Sequence, residues 1–182
     1  MLALIKGYIK SITTDKYLLS IRYQMVGLID PNTEVIDFGC GTGDFLLKLS
    51  HKIKYGLGID KSKNLIAFAN KKKQNKNLKN IDYIAQKATL NFNRNFNYST
   101  ASLFFHVLPI QESISILNYM GEISNHILIC GFCEPKTLKQ KLLLWFDQRF
   151  TGHYKHYKSY QQNGYLSGII GQTKFDLVNE KK

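Results

Sequence analysis

Apolar residues along this chain fall into short dense runs, separated by longer stretches with three- and four-residue spacing. Glu34-Val35-Ile36-Asp37-Phe38 is one such run and reads as a buried strand. Tyr55-Gly56-Leu57-Gly58-Ile59-Asp60 is a second, ending in an acid, and Ile81-Asp82-Tyr83-Ile84-Ala85 a third. A polar, asparagine-rich loop over Asn91 to Asn97 leads to a fourth strand expected around Ala101 to Phe105, and His126 to Cys130 makes a fifth. Helical spacing fills the gaps. Residues 1–30 repeat through Tyr17, Leu18, Ile21, Met25 and Leu28, with Thr13 or Thr14 as cap and Pro31 just beyond the end. Further helices are expected at Asp44 to Leu49, at Ser62 to Lys73 with Leu65, Ile66 and Ala69 inward, and from Pro109 through Ile110, Ile114, Leu117 and Met120. A long amphipathic helix is expected over Lys136 to Phe150, and a last strand over Lys174 to Val178. Strands without strict alternation, each followed by a helix, predict a mostly parallel sheet with helices on both faces. Such a doubly wound α/β domain holds its ligand at the carboxyl ends of the strands, where the sheet order reverses.

Length and composition narrow this. At 182 residues, 44% hydrophobic and 21% charged, the chain suits one globular domain and not a disordered segment. The expected organisation is an N-terminal helical segment over 1–30, a cofactor-binding core over 31–135, and a C-terminal helix and acceptor-side segment over 136–182. The formal charge of +12 nominates nucleic acid, an anionic membrane or an acidic ligand. Arg22, Arg94 and Arg149 are the only arginines, however, so the surplus is lysine, in a chain also rich in Asn and Ile. A compositional bias explains that equally well, and the charge does not choose a partner. Three cysteines make no disulfide framework and point to a reducing compartment. The first residues lack the long apolar stretch of a signal peptide, and no run approaches the roughly 20 residues of a membrane span. The expected location is the cytoplasm.

The sharpest feature is Val35-Ile36-Asp37-Phe38-Gly39-Cys40-Gly41-Thr42-Gly43-Asp44. A tight strand-to-helix turn needs glycine where φ is positive or where a ligand approaches the backbone. The spacing here is G-x-G-x-G, not the G-x-G-x-x-G that accommodates a pyrophosphate. Asp37 would repel a pyrophosphate but would favour a ligand carrying an amino group and a sulfonium. Asp60 closes the next strand, where a carboxylate accepts hydrogen bonds from ribose hydroxyls.

On Val-Ile-Asp-Phe-Gly-Cys-Gly-Thr-Gly (35–43), Gly-Leu-Gly-Ile-Asp (56–60) and the following Lys61-Ser62, the chain resembles the class I S-adenosylmethionine-dependent methyltransferases. Phe105-His106-Val107-Leu108-Pro109 and the fifth strand extend the resemblance more weakly, so that it covers about residues 30–135. It implies a Rossmann-like sheet, S-adenosyl-L-methionine as cofactor, and transfer of its methyl group. It also implies that Gly39, Gly41 and Gly43 line the methionine and ribose, with Asp37 near the amino group, Asp60 on the ribose hydroxyls and Lys61 beside the adenine. Cys40 is the small residue that fits within the turn. Two positions depart from the family pattern. Gln86-Lys87 stands where an acid usually meets the adenine amino group, so Gln86 is left to accept through its side-chain carbonyl. Tyr98-Ser99 stands where the fourth strand often begins Phe-Asp. Phe105 either packs on the adenosine or belongs to the core.

Methyl transfer requires alignment, plus a base where the acceptor must lose a proton. His106, just past the fourth strand, is the candidate base; a packing or hydrogen-bonding residue at a strand end is the competing reading. No Asn/Asp-Pro-Pro-aromatic tetrapeptide follows the fourth strand, which disfavours amino-group methylation of adenine or glutamine. No Pro-Cys nucleophile is present for cytosine-C5 chemistry. Cys130 and Cys133 have C-x-x-C spacing but no second pair, so no metal is assigned. Lys71, Lys72, Lys73, Lys76 and Lys79 read as a solvated helix end. Gly152 to Ser159 and Tyr160 mix aromatic, His and Lys residues; they wall an acceptor pocket, touch membrane or nucleic acid, or simply pack Tyr154, Tyr157 and Tyr160 at helical spacing. Three functions follow: methyl transfer to a small-molecule or lipid-like acceptor; RNA methylation, with the scarcity of arginine against it; or a catalytically silent partner protein, suggested by the missing adenine acid and the short C-terminal region. The acceptor, the atom methylated and the oligomeric state are not encoded in any motif.

Overall fold

Glycine follows directly on two strands of this chain, at Gly39 and Gly131, in the computed structural model, which describes residues 19–88, 92, 94–175 and 178. In chain order the elements are α1 (Leu19–Leu28), β1 (Glu34–Phe38), α2 (Asp44–Leu49), β2 (Tyr55–Asp60), α3 (Lys63–Asn75), β3 (Ile81–Ala85) and β4 (Phe96–Ser102). A 3₁₀ turn (Phe105–Val107), α4 (Ile110–Glu122), β5 (Ser124–Cys130), α5 (Leu138–Thr151), α6 (Tyr154–Gln162) and α7 (Tyr165–Ile170) follow. Ser62 caps α3, its hydroxyl accepting from the Leu65 N–H.

The five strands form one sheet in the order β3-β2-β1-β4-β5. β1 pairs in parallel with both β2 and β4, and β2 with β3. The Phe96 N–H donates to the Ile123 carbonyl and the Leu103 N–H to the Cys130 carbonyl, so β5 runs with β4. The chain builds outward from β1 to β3, then crosses back to β4 on the other side of β1. This is the doubly wound parallel α/β architecture expected, with its reversal of order beside β1. β1 is central and buried on both sides, Val35, Ile36 and Phe38 being fully covered, which is why its sequence is a run without alternation.

The described residues gather into two compact units. The first is the described part of Met1–Ser102 with Ile123–Ile129, and the second is Leu103–Glu122 with the described part of Cys130–Lys182. The first is cored on β1, β2 and β3 with Leu46 and Leu49 of α2 and Ala69 of α3. The second is cored on Phe105, Ile116, Leu117, Met120, Tyr160 and Ile169.

Several expectations change. β4 begins at Phe96, inside the stretch expected to be an asparagine-rich loop, and ends at Ser102 instead of continuing to Phe105. Phe96 and Tyr98 are buried two residues apart, and the Asn97 side chain accepts from the Glu34 N–H at 2.8 Å, so polar composition concealed a strand. Leu103, at φ 50°, breaks it. β5 is an edge strand and only half-buried, despite its apolar sequence. In α1 Met25 is buried while Ile21 and Leu28 face solvent; Thr13, Thr14, Tyr17 and Leu18 lie outside the described residues. The long helix expected over 136–150 forms as α5, and among its described side chains Leu138, Leu142 and Leu143 are exposed. Of the strand expected over 174–178, Lys174, Phe175 and Val178 are described and lie in no strand, and positions 176 and 177 lie outside the described residues. Lys72 and Lys73 are not a solvated end: their ammonium groups sit 2.7 Å from Asp44 and from Asp82, tying α3 to the start of α2 and to β3. Among the described residues no helix is long and apolar enough to cross a membrane.

Candidate functional site

The chain leaves β1 at Phe38 and must reverse within five residues to enter α2. Gly39, Gly41 and Gly43 make this possible with φ values of 67°, 55° and 77°, a region that strains any residue with a Cβ. The turn closes on the Gly43 N–H, which donates to the Cys40 carbonyl at 2.9 Å, and is tied to β2 by the Cys40 N–H donating to the Ile59 carbonyl at 3.0 Å.

Asp60, the last residue of β2, lies beside this turn. One carboxylate oxygen accepts from the Gly41 N–H at 3.0 Å and the other from the Ser62 N–H at 2.8 Å. Its side chain is thereby fixed in direction, and since a carboxylate accepts about four hydrogen bonds, capacity remains on both oxygens. The Gln86 N–H donates to the Asp60 carbonyl at 2.9 Å, which places half-buried Gln86 at the tip of β3 beside it, and Lys61 is exposed immediately after Asp60.

Tyr83 of β3 holds this arrangement from within. Its phenol donates to the Gly43 carbonyl at 2.7 Å. A Cβ added at Gly43 would stand 2.6 Å from the ring, and one at Gly58 would stand 2.5 Å from the ring and 2.9 Å from the Cys40 thiol. Glycine at 58 is thus required by packing, in a strand where β propensity alone would disfavour it. The Cys40 thiol is directed toward Gly58 and Tyr83. Burial, and then the nearby Cys40, Asp37 and Asp44, push the Tyr83 phenol far above its ordinary range, so it remains a donor.

Asp37 is 2% exposed and accepts from the Thr100 hydroxyl at 2.7 Å; the two residues are partners across β1 and β4. Burial pushes its carboxyl up to about 7, with Asp60 adding to the rise and the Thr100 hydrogen bond and Arg22 opposing it. A buried carboxylate so placed has a raised affinity for a proton or for a cationic group.

Asp37, Gly39, Cys40, Gly41, Gly43, Asp60, Lys61 and Gln86 therefore come together at the carboxyl ends of β1, β2 and β3. Phe105 and His106 belong to the second unit. Phe105 is 2% exposed, edge-on to Phe104 at 5.4 Å, and its carbonyl accepts from the Ser113 hydroxyl. His106 is 7% exposed and set among rings, with Phe132 at 4.8 Å, Tyr160 at 6.4 Å and Tyr157 at 6.5 Å between centroids. Cys130 and Cys133, half-buried and exposed, form no disulfide. Sequence reasoning missed Tyr83, Thr100 and the Ser62 amide. The pairing of Gly58 with Tyr83, and of Asp37 with Thr100, needs the strand register, which the sequence does not display.

A glycine turn after the first strand and an acid after the second, where a parallel sheet reverses its order, define a nucleoside-binding α/β domain. The sequence matches the methyltransferase domain family over residues 29–150, and the chain belongs to that family, whose fold is that of the class I S-adenosylmethionine-dependent methyltransferases. It is 28% identical over 158 residues to carboxy-S-adenosyl-L-methionine synthase of Trichodesmium erythraeum (strain IMS101), covering 82% of this chain and 58% of that protein. It is 32% identical over 116 residues to ribosomal RNA small subunit methyltransferase A of Mesomycoplasma hyopneumoniae (strain 232), covering 58% of this chain and 43% of that protein. The solved structure of magnesium protoporphyrin IX methyltransferase (ChlM) from Synechocystis PCC 6803, with bound S-adenosylmethionine, shares the fold at a TM-score of 0.56 and 19% identity, over 69% of this chain and 61% of that one. The chain thus spans about half the length of the curated relatives it matches.

The state of Asp37 is open to measurement. Its carboxyl lies at 3.8 when unperturbed and at about 7 in the fold, so the folded protein holds this proton more tightly than the unfolded chain does. The associated stability is complete below about pH 4 and is lost as pH rises through about 7. Asp37→Asn keeps an acceptor for Thr100 and removes the charge. In urea denaturation without ligand, the variant is expected to exceed the parent by a few kcal/mol at pH 8, with the difference shrinking toward pH 4. A difference independent of pH contradicts the assignment.

Proposed function

We propose that this chain binds S-adenosyl-L-methionine at the tips of β1 and β2 and transfers its methyl group to a small-molecule or lipid-like acceptor. The observation that carries the reading is Asp60: a carboxylate oriented by the Gly41 and Ser62 amides, with acceptor capacity remaining for the two hydroxyls of a ribose. The rest of the site fits the same ligand. Asp37 lacks charge compensation in proportion to its burial, and an α-amino cation supplies it. The turn 39–43 brings backbone close to a ligand without intervening side chains, and Cys40 takes part through its backbone. Gln86 and Lys61 flank the adenine, with the Gln86 amide replacing the more usual acid.

Bound cofactor supplies a methyl group already activated on a sulfonium. What remains for the protein is to orient that group and to accept a proton from the acceptor. We assign the second task to His106. For the acceptor, similarity over 82% of the chain to an enzyme named for making a modified S-adenosylmethionine supports small-molecule chemistry. RNA methylation is the second reading, favoured by similarity to a ribosomal RNA methyltransferase and by the charge of +12. Only three arginines for bidentate phosphate and base contacts weigh against it.

Calorimetry with S-adenosylmethionine and S-adenosylhomocysteine tests the cofactor. Saturable binding of both is expected, with Asp60→Asn weakening it at least about tenfold through loss of charge-assisted hydrogen bonds. No binding by the parent protein would favour the silent-partner reading. S-adenosylhomocysteine formation is then followed with a panel of phenols, amines and carboxylic acids, and with RNA. Turnover is expected within the small-molecule panel, with His106→Gln lowering it about 100-fold or more while cofactor affinity is unchanged. Turnover with RNA alone, falling steeply as salt rises, would carry the RNA reading instead.

A further inference from the structure

Within the second unit α5 and α6 line a half-open pocket of about 140 Å³ whose lining includes none of the cofactor-site residues described above. Its walls include Leu144 and Trp145 of α5 and Tyr154 and Tyr157 of α6, with Lys141 and Gln161 also lining it. The volume is that of a single six-membered ring; an apolar cavity of about 150 Å³ accommodates benzene. Three of the walls are aromatic, which favours a flat ligand over an aliphatic one.

The charge of the ligand follows from the lining. Among the described residues Lys141 is the one charged residue of the lining, no acid lines the pocket, and Lys141 makes no ion pair. The Arg149 guanidinium, 5.9 Å from the Tyr154 ring centroid, adds positive potential beside it. A cationic ligand is therefore disfavoured and an anionic one attracted. Gln161 directs its amide N–H to the Tyr165 phenol at 3.0 Å, which leaves its carbonyl oxygen as an acceptor. Burial pushes the Tyr157 phenol up to about 12, so it stays protonated and is available as a donor.

We infer that this pocket binds a planar aromatic carboxylate, its ring against Trp145, Tyr154 and Tyr157 and its acid group on the Lys141 ammonium. A ring hydroxyl is further accommodated by Gln161. Tyr157 is shared with the ring cluster around His106, 6.5 Å away between centroids. The inference goes beyond the proposed methyl transfer and does not depend on it.

Trp145 is the only tryptophan of the chain, so its indole N–H gives a single, assignable resonance inside the pocket. The full chain, without cofactor, is titrated with 4-hydroxybenzoate and, separately, with neutral 4-hydroxybenzyl alcohol while that resonance is followed. A saturable shift with 4-hydroxybenzoate is expected, and about tenfold weaker binding of the alcohol. Lys141→Met is expected to weaken the acid about tenfold and to make acid and alcohol equivalent, whereas Lys141→Arg retains the preference. Lys139→Met, which alters an exposed residue outside the pocket lining, is expected to leave both affinities unchanged. No saturable shift in the parent protein, or an acid affinity indifferent to Lys141→Met, overturns the inference.

Discussion

One carboxylate accepting two backbone amides organises the first unit. Asp60 takes the Gly41 N–H from the turn after β1 and the Ser62 N–H from the turn after β2, and so fixes the two strand tips to each other. Everything else at that end follows from this clamp. The turn lies near enough to β2 for Cys40 to bond the Ile59 carbonyl, and Tyr83 fills the space beneath it that glycines at 43 and 58 leave open. Asp37 is the opposite kind of element. Its carboxylate is 2% exposed and its pKa is raised to about 7, because burial of its charge outweighs the opposing Thr100 hydrogen bond and the Arg22 guanidinium. A carboxylate held in this way has a raised affinity for a proton or a cationic group.

The second unit works by different means. Its core is rich in rings: Tyr157, Tyr160 and Phe132 are packed about His106, and the Tyr160 phenol donates to the Phe132 carbonyl at 2.8 Å. Rigid aromatic side chains lose little entropy on ordering, which suits a short helical array without a sheet of its own. The same residue types supply the walls of the pocket at Trp145 and Tyr154. Lys72, Lys73 and Lys54 are paired with Asp44, Asp82 and Glu34, which ties elements together and leaves the net surplus of +12 as it was.

The first two strands and the glycine turn were legible residue by residue, because burial on both faces leaves a dense apolar run and a tight turn leaves a glycine pattern; β3, at the edge, was legible from its alternating Ile81 and Tyr83. β4 was hidden by asparagines whose backbone, not side-chain chemistry, makes the strand. The leucines of α5 gave a helix, on which Leu138, Leu142 and Leu143 are exposed. Asp37 and Asp60 were visible as acids in strand context; what makes them a site is the register that sets Thr100 against Asp37 and Tyr83 against Gly58, and register is a property of two strands together. The ring cluster about His106 was invisible for a similar reason, since residues 106, 132, 157 and 160 are brought together only by folding.

The account rests on Asp60 as a prearranged acceptor for a nucleoside. A crystal structure of the chain with S-adenosylhomocysteine tests it most directly. The predicted result is both ribose hydroxyls within about 3 Å of the Asp60 carboxylate, with the Gly41 and Ser62 amides still bonded to it. A nucleoside bound elsewhere, or bound with its hydroxyls away from Asp60, would contradict the account.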